Sequence, residues 1–210
     1  MEINLEEGKF LVTYARKTVE KAFENKKADE IEEDTDEEIL KKFSEKYGVF
    51  VTLETYPEHE LRGCIGFPKP VFPLIEGLKK ASLYAAYEDP RFEPLEKEEL
   101  DKITFEVTVL TPPELIKCKP GEYEKFIETG RDGLIVRKGA RSGLLLPQVP
   151  VEWNWNKKEF LEETCMKAGL NARDYLKQDT EIYKFQGIIF TEISPNGDVV
   201  EKKLKSCGIK

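Results

Sequence analysis

Ile103-Thr104-Phe105-Glu106-Val107-Thr108-Val109-Leu110 alternates apolar and polar side chains along its length. A period of two puts Ile103, Phe105, Val107 and Val109 on one face and Thr104, Glu106 and Thr108 on the other. One apolar and one polar face is the pattern of an antiparallel strand, because parallel strands are usually covered on both faces. Towards the N-terminus, Val49 to Thr55 is rich in β-branched and aromatic residues and reads as a strand. Tyr56 to Glu60 forms the turn, and Leu61 to Ile65 returns as the second arm of a hairpin. Towards the C-terminus, Leu134 to Lys138, Leu144 to Leu146, Ile182 to Ile193 and Val199 to Leu204 read as further strands. Gly139 to Gly143 is the loop between the first two, and Ser194-Pro195-Asn196-Gly197 turns the last pair.

Helices are mixed among these hairpins. Asn4 with Glu7 marks an N-cap for a helix from Leu5 to about Glu24, with Leu11, Tyr14, Ala15, Thr18 and Ala22 on one face. Asn25 to Asp34 is a charged loop, and Thr35 with Glu38 caps a second helix that buries Ile39, Leu40 and Phe43 and ends at Gly48. A third helix spans Val71 to Tyr87. Glu122 to Glu128 is a short helix, Pro147 to Trp155 is irregular, and Asn156 with Glu159 caps a last helix running to Ala168. Hairpins mixed with helices give an α+β fold, a mainly antiparallel sheet with flanking helices. The 210 residues suit one domain, 1–210, and the change of character after Pro112-Pro113 suggests a smaller subdomain over about 112–150.

Composition narrows the function classes. There are 41 acids against 33 bases, a net charge of −8, which disfavours a general nucleic-acid coat. No run approaches the roughly 18 apolar residues that span a bilayer. The first residues, MEINLEEGKF, are acidic and amphipathic, unlike a signal peptide, so a cytoplasmic location is expected. Lys and Glu dominate the charge, and Gln occurs three times, a thermophile-like profile. Cys64, Cys118, Cys165 and Cys207 form no Cys-x-x-Cys pair, and His59 is the one histidine, so neither a disulfide framework nor a zinc site is expected. The cofactor is left unknown by the sequence, and the P-loop, the dinucleotide-binding glycine pattern, Gly-x-Ser-x-Gly and His-Glu-x-x-His are all missing from it.

Leu61-Arg62-Gly63-Cys64-Ile65-Gly66 stands out chemically. As a strand it turns Leu61, Gly63 and Ile65 one way and Arg62 and Cys64 the other. Gly63 weakens a strand and implies close approach of another backbone or a ligand. A guanidinium beside a thiol favours thiolate, so Cys64 is a candidate catalytic nucleophile; unpaired cysteines are, against this, among the most buried residues. Arg62 is suited to grip a carboxylate or phosphate with its fork, or to make a structural salt bridge to Asp89 or Glu60. His59 falls with the opposite set, so a Cys64–His59 pair is not expected.

This six-residue string is the signature of the AMMECR family, the Alport syndrome, mental retardation, midface hypoplasia and elliptocytosis chromosomal-region protein and its microbial relatives. Gly48 to Leu53, Glu88-Asp89-Pro90-Arg91-Phe92, Gly143 to Val149 and Phe160 to Cys165 also resemble family blocks, in the expected order. The resemblance implies two subdomains with a cleft between them as the suspected site. It also implies an association of microbial relatives with Memo-like and radical-SAM proteins, and hence a shared modification pathway.

The candidate ligand-binding residues are therefore Arg62, Gly63, Asp89, Arg91, Arg137, Arg141 and Gln148. Asp89 and Arg91 read either as the rim of the cleft or as a latch for their own loop. Arg131, Arg137, Lys138 and Arg141, among glycines, form a basic hairpin that suits an anion or is an ordinary charged surface. Cys165 reads as core, and of Trp153 and Trp155 one reads as buried and the other as a surface for stacking or a partner. Three functions follow: a binding or regulatory module for a small anionic ligand or a partner protein, an enzyme with Cys64 as activated thiol, or an RNA-associated regulator.

Overall fold

The computed structural model describes residues 3–24 and 37–203. The loop expected at Asn25 to Asp34, the cap at Thr35, the last residue of the final expected strand, Leu204, and Cys207 lie outside them. In chain order the elements are α1 (Leu5–Phe23), α2 (Glu37–Lys42), β1 (Gly48–Thr55), β2 (Leu61–Phe67), α3 (Leu74–Tyr87), β3 (Ile103–Leu110), β4 (Glu114–Leu115), β5 (Asp132–Lys138), β6 (Arg141–Leu145), α4 (Val149–Glu152), α5 (Lys157–Lys167), β7 (Glu181–Glu192) and β8 (Val199–Glu201). The fold is α+β. The ladders β1–β2, β1–β3, β5–β6, β4–β7, β5–β7 and β7–β8 are all antiparallel. Among the described residues the chain divides into two compact units, one up to Leu110 and again from Ile188 to Lys202, the other Thr111–Gly187.

In the first unit β1 is central, with β2 on one side and β3 on the other. Val49, Val51 and Leu53 turn one face of β1 inward, and Phe105 and Val107 continue that apolar surface across β3. Two helices cover it. Helix α1 begins where Asn4 Oδ1 accepts the Glu7 amide at 2.9 Å and Glu7 Oε2 accepts the Asn4 amide at 2.8 Å, a reciprocal cap that satisfies two free N–H groups. Its buried stripe includes Leu11, Val12, Ala15 and Val19. Gly8 lies in that stripe because the Phe190 ring fills the space a Cβ needs. Helix α3 buries Leu74, Leu78, Ala81 and Ala85.

One ion pair lies within this core. Arg16, 4% exposed, grips Glu192 with Nε and Nη2 at 2.6 Å each. Its remaining donors reach the carbonyls of Leu100 at 3.1 Å and Ile103 at 2.7 Å, and Glu192 also accepts the Phe105 amide at 3.0 Å. A buried pair is tolerable when its donors and acceptors are matched in this way. Nothing in the periodicity of α1 announced it.

The second unit has its own core of Leu134, Val136, Phe160, Leu161, Cys165, Tyr175 and Ile182. Its strands run β4–β7–β5–β6, using the Glu181–Gly187 half of β7. Helix α5 opens with the expected cap, Asn156 Oδ1 accepting the amides of Lys158 and Glu159 at 3.0 Å each.

Several boundaries differ from the sequence reading. Helix α3 starts at Leu74, not Val71, because Pro73 holds an extended ψ of 146° at the cap and Pro biases its predecessor away from helix. Gly48 does not end α2; it opens β1, where a Cβ would approach Pro68 O at 2.9 Å. The helix expected over Glu122 to Glu128 is a single 3-10 turn, Tyr123–Lys125, preceded by Gly121 at φ +93°. The expected irregular stretch contains α4, which accepts Pro150 because the first turn needs no amide donor. The loop from Gly139 to Gly143 shrinks to Gly139-Ala140, and Gly143 lies within β6, opposite Val136.

Candidate functional site

Among the described residues strand β2 pairs with one neighbour, β1, and its register sets Cys64 opposite Thr52 and Gly63 opposite Leu53. Gly63 faces the core. A Cβ there would lie 2.2 Å from the Ala85 carbonyl oxygen, so the close approach inferred from this glycine is made by the end of α3. Gly66 is required on the other face, where the Phe50 ring would be 2.4 Å from a Cβ.

The free edge of β2 is closed by a short loop. Asp89 Oδ2 accepts the Cys64 amide at 2.8 Å, and Arg91 Nη2 donates to the Cys64 carbonyl at 3.1 Å. Asp89 and Arg91 are themselves paired twice, Nε to Oδ1 at 2.9 Å and Nη2 to Oδ2 at 2.7 Å. The two side chains thus serve Cys64 as a neighbouring strand would, with one acceptor and one donor. The hydrogen bonds from Arg91 hold the Asp89 carboxyl well below the usual carboxylate range, against the opposing effect of burial.

Arg62 is engaged inside the protein. Its Nε and Nη2 meet Glu99 Oε1 and Oε2 at 2.7 and 2.9 Å, and Nη1 donates to the Glu93 carbonyl at 3.0 Å. The salt-bridge partner is therefore Glu99 rather than Asp89 or Glu60. That bidentate pair lowers the Glu99 carboxyl. An anion at Arg62 has to displace Glu99.

The thiol itself is half-buried and lies on the polar face of the sheet. Because the Cys64 amide and carbonyl point away from β1, Cys64 and Thr52 form a non-hydrogen-bonded pair, the kind whose side chains sit closest. The Thr52 hydroxyl donates to Cys64 Sγ at 3.4 Å. Thr52 is also the register partner of Glu106 on β3. Glu106 Oε2 accepts from Lys202 Nζ at 2.7 Å, Lys202 lies 4.0 Å from Glu54, and His59 Nδ1 lies 3.6 Å from Glu54. Burial pushes the Glu106 carboxyl up although Lys202 pulls it down. Lys202 is raised in turn, its two carboxylates outweighing its own desolvation.

Thr52, Glu54, Glu106 and Lys202 were not singled out from the sequence. The polar face of Ile103 to Leu110 carried the signal for Glu106, but nothing marked Lys202. The remaining candidates belong to the second unit. Arg137 lies over the Tyr183 ring at 4.8 Å, Arg141 donates to the Gly169 carbonyl at 2.9 Å, and Gln148 precedes α4, its carbonyl accepting the Val151 and Glu152 amides. Lys138 pairs with Asp179 at 3.0 Å and Arg131 with Asp132 at 3.1 Å. The basic hairpin is thus largely spent on internal partners. Trp153 is 67% exposed and stacks on the half-buried Trp155 with ring centroids 6.1 Å apart. Among the described residues no three His, Cys, Asp or Glu side chains are grouped so as to hold a metal ion, and no helix is long and apolar enough to cross a membrane.

The AMMECR1 family model matches residues 12–190. Protein PH0010 of Pyrococcus horikoshii is 52% identical over 206 residues, covering 97% of this chain and 98% of its own. Relatives from Methanocaldococcus jannaschii and Aquifex aeolicus are 50% and 49% identical, covering 96% and 93% of this chain and 98% and 97% of theirs. The crystal structure of the uncharacterized Pyrococcus horikoshii protein superposes with a TM-score of 0.79 at 49% identity, covering 97% of this chain and all of that one.

Proposed function

The chain belongs to the AMMECR1 family, and from that premise and the arrangement around β2 we propose that the protein acts through the Cys64 thiol, as a nucleophile towards a small electrophilic substrate. One observation carries this reading. Cys64 is clamped through its backbone by Asp89 and Arg91 while its side chain stays half-buried on a polar face, with a hydroxyl on its sulfur. A cysteine kept only for packing needs neither the clamp nor the polar surroundings. Arg62 supports the loop beneath through Glu99 and Glu93, which makes it a positioning residue rather than the activator of the thiol. The test is iodoacetamide labelling of the folded protein, read residue by residue by mass spectrometry. Cys64 is expected to label in the native state, and labelling of Cys64 only on unfolding sinks the proposal.

A second reading, a module that binds a small anionic ligand, is favoured by Arg91. Its side chain is 51% exposed, so it is the cation beside Cys64 that solvent reaches. Phosphate and short carboxylates are expected to raise the unfolding temperature, less so in Arg91→Ala. The same shift in both proteins removes this reading. An RNA role has less support, because the hairpin bases already have partners.

A further inference from the structure

We propose that Glu106 is the proton acceptor for Cys64, reached through the Thr52 hydroxyl, with Lys202 holding the carboxylate in place. The inference rests on the thiol reading above and deepens it by supplying the base that the cysteine lacks in sequence.

The geometry is a row across three strands. Thr52 on β1 is the register partner of Cys64 on β2 and of Glu106 on β3, so the three side chains project from the same face of the sheet. The contact between Thr52 Oγ1 and Cys64 Sγ is 3.4 Å. Directly opposed residues carry Cβ atoms about 5 Å apart, so a rotation of the Glu106 side chain, which makes no hydrogen bond to Thr52 in the resting structure, brings its second oxygen to that hydroxyl. Lys202 occupies Glu106 Oε2, while Oε1 has no hydrogen bond to a described residue and remains to accept. A hydroxyl is both donor and acceptor and rotates to suit its neighbours. The step is a double transfer: the thiol proton passes to Thr52 Oγ1 as the Thr52 hydroxyl proton passes to Glu106. The products are a thiolate and a neutral carboxylic acid, with the single negative charge moved from oxygen to sulfur. No other reactant is needed.

The charged surroundings suit such a transfer. Lys202 and Glu54 face Glu106, His59 stands behind Glu54, and Asp89, Arg91 and Arg62 lie around Cys64. Burial of Glu106 raises its affinity for a proton, which brings it nearer to that of a thiol and makes the exchange easier.

The test is the rate of Cys64 alkylation by iodoacetamide on the full chain, from acid to alkaline pH, with thermal unfolding followed in parallel. The wild type is expected to show two rising limbs, the lower following Glu106 and the upper following unassisted thiol ionisation. Glu106→Gln and Thr52→Val each remove the lower limb and slow labelling at neutral pH by about tenfold or more. Thr52→Ser restores it, which separates a lost hydroxyl from a damaged sheet even where Glu106→Gln fails to fold. Lys202→Met moves the lower limb to higher pH, because burial then acts on Glu106 without its cation. A single limb in the wild type, or Thr52→Val and Thr52→Ser profiles that superimpose on it, overturns the relay and leaves the thiol reading standing. A native Cys64 that does not label at all overturns the thiol reading itself, and the relay with it.

Discussion

Cys64 and Cys165 carry the same group in opposite surroundings. Cys165 sits on the inner face of α5, fully buried with Phe160, Leu161 and Tyr175 in the core of the second unit. Burial pushes its thiol up to about 11. Cys64 sits at the edge of a sheet, half-buried, among a hydroxyl, two carboxylates and two guanidinium groups. The proposed thiol chemistry rests on this difference in surroundings. Cys165 is packed mainly among apolar side chains, with a backbone hydrogen bond from Tyr175, whereas the neighbours of Cys64 are fixed polar groups that hold its backbone and leave the residue half-buried.

The largest expected effect is in reactivity. In the native protein Cys64 should alkylate about 100-fold faster than Cys165, since labelling of Cys165 must wait for local opening of the second unit. Equal rates, measured by mass spectrometry in one sample, break the comparison. Next is Gly63→Ala. The added methyl meets the Ala85 carbonyl, so overpacking should cost about 3 kcal/mol. Urea unfolding reads the loss. A cost near zero means that α3 does not press on β2 as described.

Much of this contrast was legible in the sequence, and what was not has a physical cause. The strand at Ile103 to Leu110, the caps at Asn4 and Asn156, and the burial of Cys165 all follow from local periodicity or local hydrogen bonds, and each is found in the structure, except that the polar face of the strand is covered rather than solvated, Thr104 and Thr108 both being buried. Gly63 signalled a close approach by a backbone or a ligand, and the structure shows it to be the Ala85 backbone. The partners of Arg62 and Cys64 were out of reach, because Glu99 lies 37 residues and Asp89 25 residues away, and strand register decides who meets whom. Lys202 is further still, 96 residues from Glu106, in a segment with no motif. The hairpin bases looked available because sequence shows their charge but not the Tyr183 ring, Asp179 or Gly169 carbonyl that engages them.

The loop clamp gives a third test, with its sign set by acid. Asp89→Asn removes charge from several hydrogen bonds at once and should cost about 2 kcal/mol. The Asp89 carboxyl is lowered in the fold, so its stabilisation is present above the ordinary value of 3.8 and disappears as pH falls through the lowered one. Glu106 works the other way. Its carboxyl is raised, so the folded state holds its proton more tightly, and that contribution, full below 4.5, is lost as pH rises through the raised value. Acid titration of stability should therefore flatten at the low end in Asp89→Asn and change at the higher end in Glu106→Gln. Identical curves for both variants contradict the assignment.

The smallest effect returns to the two thiols. Serine places a hydroxyl where sulfur was, and a buried hydroxyl without a good partner costs free energy, whereas an accessible one costs little. Cys165→Ser should therefore lower stability by about 1.5 kcal/mol, taken from the usual range for burying a polar group. Cys64→Ser should change it by less than about 0.5 kcal/mol, because Thr52 can bond an oxygen as readily as a sulfur and the backbone clamp is untouched. Serine at Cys64 removes the nucleophile while keeping the site, so loss of activity with an unchanged unfolding midpoint is the signature of a chemical cysteine. A destabilisation as large as that of Cys165→Ser assigns Cys64 to packing and makes the two thiols alike after all.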